Sequence, residues 1–110
     1  MNDDIPPELV ERYHLNSETG RLQWQELARY FAAGKVVLLG KSLDLVDVAQ
    51  QFSRDNAAQT AEWLNAGKLN LVTDEQAMTF HDNKSEFWAI VVKPWVLVQQ
   101  IDELDESHSK

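Results

Sequence analysis

Asp44 and Asp47 stand three residues apart in the segment SLDLVDVAQQF, a spacing that sets both carboxylates on one face of a helix, where paired acids could move a proton or hold a hard cation. The same pair has a plainer role, because acids in the first turn interact favourably with the positive end of the helix dipole. Glycosidase-type chemistry also needs a cleft that so small a domain rarely builds unaided, so the dipole role is the expected one. His14, His81 and His108 are scattered, and none belongs to a metal motif such as HExxH. His81, in THDN beside Asp82 and not far from Glu86, is expected to be a solvated helix-end residue. There is no GxSxG, no SxxK and no cysteine to act as nucleophile. Gly20, Gly34, Gly40 and Gly67 never approach the spacing of a phosphate loop. No catalytic residue, cofactor or metal site is assigned on these grounds, and a non-enzymatic protein is expected.

Composition narrows the partners. The 110 residues fit one domain, and 44% apolar residues with four tryptophans are enough for a core despite a net charge of −8. Without cysteines there are no disulfides, zinc ribbons or iron–sulfur ligands. The opening MNDDIPPELVER is acidic and broken by prolines, unlike a secretory leader, and a cytoplasmic location is expected. Charge is uneven: residues 1–20 carry five acids against Arg12, residues 21–72 six bases against five acids, and residues 73–110 eight acids against three bases. The nearly neutral middle leaves room for a contact there, while acidic ends disfavour nucleic acid and anionic membrane.

The elements that must position these residues can be read from periodicity. A short helix is expected over 7–13, then a loop around Asn16, Ser17 and Gly20. Trp24, Leu27, Ala28 and Phe31 recur at i, i+3, i+4 and i+7, giving a helix with one apolar face that ends at Gly34. Residues 36–39, VVLL, form a short strand. Leu45, Val48, Ala49 and Phe52 mark a second helix with Ser42 as N-cap, and Asn56 and Gln59 open a third that stops at Gly67. Leu69 to Leu71 alternate as a strand, and Thr73 with Gln76 opens a fourth helix ending near Asn83. The run FWAIVVKPWVLV, 87–98, is dense in β-branched and aromatic residues and reads as buried sheet. Pro94 cannot donate to a ladder and divides it in two.

This order predicts an α+β fold, a small winged-helix-like domain with three to four helices on a small antiparallel sheet. The single domain, 1–110, comprises an N-terminal extension with a short helix (1–20), a winged-helix-like core (21–101) and an acidic tail (102–110). Trp24, Trp63 and Trp88 fall on apolar sides and are expected in the core, whereas Trp95, just past the proline, is the candidate for exposure and partner contact.

The stretches WQELARYFAAGKVV, SLDLVDVAQQFSRDNAAQTAEWLNAGKL, TDEQA and FWAIVVKPWVLVQ resemble an uncharacterised bacterial family, domain of unknown function 2288, over roughly 80 residues from Leu22 to about Ile101. The resemblance implies a small bacterial protein. It brings no activity, substrate, cofactor or site residue with it.

The helix pair 43–53 and 56–66 raises DNA recognition as the sharpest alternative, with Arg54, Gln59 and Lys68 as contacts. Yet the second helix carries Glu62 and no lysine or arginine, whereas duplex binding rests on several phosphate contacts. A protein-interaction or regulatory module is therefore expected, its partner unknown, through the edge of residues 36–39 or of the Trp95 strand, with a second copy of the chain among the candidates.

Overall fold

The computed structural model describes residues 14, 15 and 17–101. The helix expected over 7–13 and the acidic tail 102–110 lie outside the described residues. The element order is β1 (Gly20–Gln23), α1 (Trp24–Ala32), β2 (Val36–Leu39), α2 (Leu45–Ser53), α3 (Ala57–Asn65), β3 (Leu69–Leu71), α4 (Asp74–Asn83), β4 (Glu86–Val92) and β5 (Trp95–Gln100). The fold is α+β, as expected.

Helix boundaries follow local chemistry. The N-cap of α2 is Asp44, whose carboxylate accepts from the Asp47 N–H at 3.0 Å. Ser42 is not the cap, because the first turn starts two residues later than its position would allow. The Asn56 side chain accepts from the Gln59 N–H to open α3. Thr73 and Gln76 satisfy each other's backbone donors in a complete capping box on α4. Gly34 and Gly67, both at φ +73°, follow the C-caps of α1 and α3, where a left-handed residue reverses the chain at no Cβ cost.

The five strands form one sheet in the order β1-β4-β5-β2-β3. Pairs β1–β4, β4–β5 and β2–β3 are antiparallel, but β2 runs parallel to β5, so the sheet is mixed rather than the antiparallel sheet expected. A parallel pair needs a long crossover, here supplied by everything between β2 and β5. That pairing spans the chain from Val36 to Val98, which local periodicity does not encode. Strand β1 was not anticipated: GRLQ carries one half-buried residue, Leu22, and looks like loop until β4 lies beside it.

Alternation along the strands sends side chains to two cores. On one face Val36, Phe87, Ala89, Val96 and Val98 meet Trp24 and Leu27 of α1 and Ala77 and Phe80 of α4. On the other Val37, Leu39, Leu69, Ile90 and Leu97 meet Leu45, Val48 and Ala49 of α2, with Phe52, Trp63 and Trp95 at the margin. Leu15 joins this second core. The strands from 87 to 98 are thus covered on both sides over most of their length, Trp88 and Val91 remaining exposed, which explains why they read as a nearly unbroken apolar run.

Two expectations need correction. Strands β2 and β5 are interior, so neither offers an edge to another chain; the edges are β1 and β3. Trp88 is 42% exposed rather than core. It sits on β4 beside edge strand β1, on the same face as fully buried Ile90 but away from the cover α2 gives that residue, with the Arg21 guanidinium 5.9 Å from its ring centre. Trp95 is half-buried, with the Lys35 ammonium 5.5 Å from its ring centre.

Candidate interaction site

The cleft that organises the exposed surface begins with a weakly amphipathic helix. The segment AAQTAEWLN spends most of its length on alanine and polar residues, and none of its side chains is fully buried in α3. Trp63 turns toward the second core and remains half-buried, while Leu64 is left 48% exposed. Helix α3 therefore lies against β3 without sealing it. The space left is a cavity of about 450 Å³ whose apolar wall includes Phe52, Ala61, Leu64, Leu71, Pro94 and Trp95. Its size lies within the ordinary range of binding clefts.

Three elements hold that wall. The turn between α2 and α3 is fixed by Asp55 in the left-handed region, φ 59°, and by the Asn56 amide donating to Gln51 at 2.7 Å. The β4–β5 turn consists of Lys93 and Pro94, joined by a cis peptide, with Trp95 opening β5. The third side is β3. Gly40 donates to the Lys68 carbonyl at 2.8 Å and Val72 donates to the Val36 carbonyl at 3.2 Å, so residues 68, 70 and 72 face β2. By the alternation of an antiparallel ladder, the backbone groups of Leu69 and Leu71 point outward from the sheet. The Asn70 amide donates to the Leu71 carbonyl at 2.7 Å, a local blunting of that edge. Leu71 keeps its side chain 50% exposed on the cleft face.

The sequence-derived site residues distribute as follows. Trp95 lines the cleft. Lys68 is exposed at the entry to β3, and Arg54 is exposed at the end of α2. Gln59, on α3, donates its amide to Glu62 at 3.1 Å, so the helix presents a carboxylate beside the amide that would read a base. Leu64 and Leu71, which complete the cleft, were missed as contact residues. Their signal was faint: one leucine at the end of a polar helix and one in a three-residue strand.

Among the described residues the acid–base candidates are engaged locally. Asp44 is occupied as an N-cap. His14 lies 3.3 Å from Glu18, and His81 lies 3.5 Å from Asp82; both pairs are exposed. Among the described residues no group of three His, Asp or Glu side chains could hold a metal ion. The hydrogen bond from Arg21 holds the Glu86 carboxyl below its ordinary value, opposed by desolvation and helped by the Arg21 charge and by Gln23. This is a cross-strand ion pair between β1 and β4. No described helix is long and apolar enough to cross a membrane.

No curated protein matches the chain. A solved structure, the NMR solution structure of PA1075 from Pseudomonas aeruginosa, is 34% identical, covers 92% of each chain and superposes with a TM-score of 0.75. The family model described as "Protein of unknown function (DUF2288)" matches residues 11–100, and the chain belongs to that family.

Proposed function

We propose that this chain is a non-enzymatic protein-interaction or regulatory module, acting in the cytoplasm through the cleft between α3, β3 and the β4–β5 turn. The observation that carries the reading is the juxtaposition of an apolar cavity of about 450 Å³ with the outward-facing backbone of β3. Main-chain groups supply affinity for an added strand, and an adjoining pocket supplies selectivity for its side chains. The order helix, strand, helix pair, strand still supports the winged-helix-like description of the scaffold, with α2 and α3 as the helix pair. In this reading the pair builds one wall of a protein-binding cleft.

The test uses the full chain immobilised and exposed to host extract, with Leu64→Asp beside it. A protein retained by the wild type and lost with Leu64→Asp supports the cleft; retention indifferent to that substitution removes it. DNA recognition through Arg54, Gln59 and Lys68 has less support, since Gln59 is bonded to Glu62 and the chain carries net charge −8. Duplex DNA titrated at low salt should give no salt-dependent binding; a steep salt slope would reverse the ranking.

A further inference from the structure

We infer that the occupant of the β3 edge is β3 of a second copy, paired antiparallel about a two-fold axis at Asn70. The inference rests on the cleft reading above and names its partner. Leu69 and Leu71 are the residues of this three-residue strand whose backbone faces outward. An antiparallel two-fold centred on Asn70 sets Leu69 of each copy opposite Leu71 of the other, so that both residues exchange main-chain bonds across the seam, the Leu71 carbonyl accepting through its second lone pair beside the bond from the Asn70 amide. A shift of the pairing by two residues wastes part of this short edge in either direction: one brings Thr73 opposite Leu69, and the Thr73 N–H is already given to Gln76 at 3.0 Å; the other brings Gly67 opposite Leu71, and the Gly67 N–H is already given to the Leu64 carbonyl at 3.1 Å.

Charge selects the same arrangement. Exposed Lys68 precedes β3, whereas Asp74 and Glu75, also exposed, follow it in the first turn of α4. Antiparallel pairing brings the basic end of each strand beside the acidic end of the other, and parallel pairing would set like against like. The segment KLNLVTDE is thus complementary to itself only when reversed. The two-fold lies normal to the sheet, so each copy's cleft opens on the same face, and the exposed Leu64 and Leu71 side chains of the two copies flank one seam. The closed symmetry uses up the β3 edge of each copy, so no third copy can add at that seam.

Sedimentation equilibrium of the full chain over a concentration series tests this. A monomer–dimer equilibrium is expected, weakened at least tenfold by Leu71→Lys, with Trp88→Ala at the opposite side of the sheet leaving it unchanged. Lys68→Glu, and separately Asp74→Lys with Glu75→Lys, should each weaken self-association at least tenfold, because both charged contacts of the seam become like-charged. Mixing those two variants should restore a dimer, since both contacts are then opposite in sign. Wild-type chain monomeric to about 1 mM, the weakest affinity of interest, overturns the inference, as does a dimer that survives Leu71→Lys with its circular dichroism unchanged. Monomeric wild type that still retains a host protein in a Leu64-dependent way defeats self-pairing and leaves the interaction reading standing.

Discussion

The two faces of the sheet are closed by different means. On one, Trp24 stands 5.4 Å from Phe80 and 6.0 Å from Phe87, the two phenylalanines meet edge-on at 4.9 Å, and Phe31 packs at 5.6 Å from the same tryptophan. Such tilted and T-shaped contacts add about 0.5–1.5 kcal/mol per pair beyond the area they bury. On the other face α2 seals Ile90 and Leu97 with aliphatic side chains, but α3 buries no residue completely and leaves a cleft. The first face stabilises; the second stabilises at one end and remains available at the other. In a chain of 110 residues, surface is divided between a core that must be dry and an edge that can be used.

Substitutions can break this contrast. The largest loss is expected for Trp24→Ala, which opens a cavity in the aromatic face and should cost about 3–5 kcal/mol, measured by denaturant unfolding. Trp63→Ala, on the half-buried margin, should cost less, about 1–3 kcal/mol; equal losses at the two tryptophans would erase the distinction between the faces. Asp44→Ala removes the cap of α2 and should cost about 1 kcal/mol, with Asp44→Asn nearly restoring it. Catalytic work by that residue would instead show as lost turnover with an unchanged melting curve. Leu64→Asp should leave stability within about 0.5 kcal/mol while altering what the cleft retains. A large loss of stability there would mean that α3 is core.

The smallest effect concerns pH. Arg21 depresses the Glu86 carboxyl, so the pair contributes above the carboxylate's unfolded pKa, and the contribution fades as pH falls through the lower folded value. Glu86→Gln should flatten the acid side of the stability profile below the ordinary 4.5. Arg21 is exposed and Glu86 partly exposed, and pairs this open to solvent are weak, so a steep change would show that β1 depends on this pair more than its exposure suggests.

Much of the scaffold was legible in the residues. Trp24, Leu27 and Phe31 at helical spacing, Thr73 with Gln76, and glycines 34 and 67 each carry their own instruction, because caps and turns are satisfied within a few positions. Pro94 marked the break between β4 and β5 for the same reason. The site was less legible. Trp95 was singled out and does line the cleft, but Leu64 and Leu71 have no local signature, and Trp88 belongs to an apolar run whose alternation points it at a face no described helix covers there. Strand β1 is recognisable only through its partner β4.

What the chain alone determined is its helices and every strand but β1, the absence of cysteine chemistry and an acidic character, since these depend on composition or on neighbours a few residues away. Tertiary structure decided which strands are edges, because the parallel junction of β2 with β5 joins residues some sixty positions apart and is fixed by the packing of two cores at once. The open flank of β3 and the cleft beside it exist only after that junction is made.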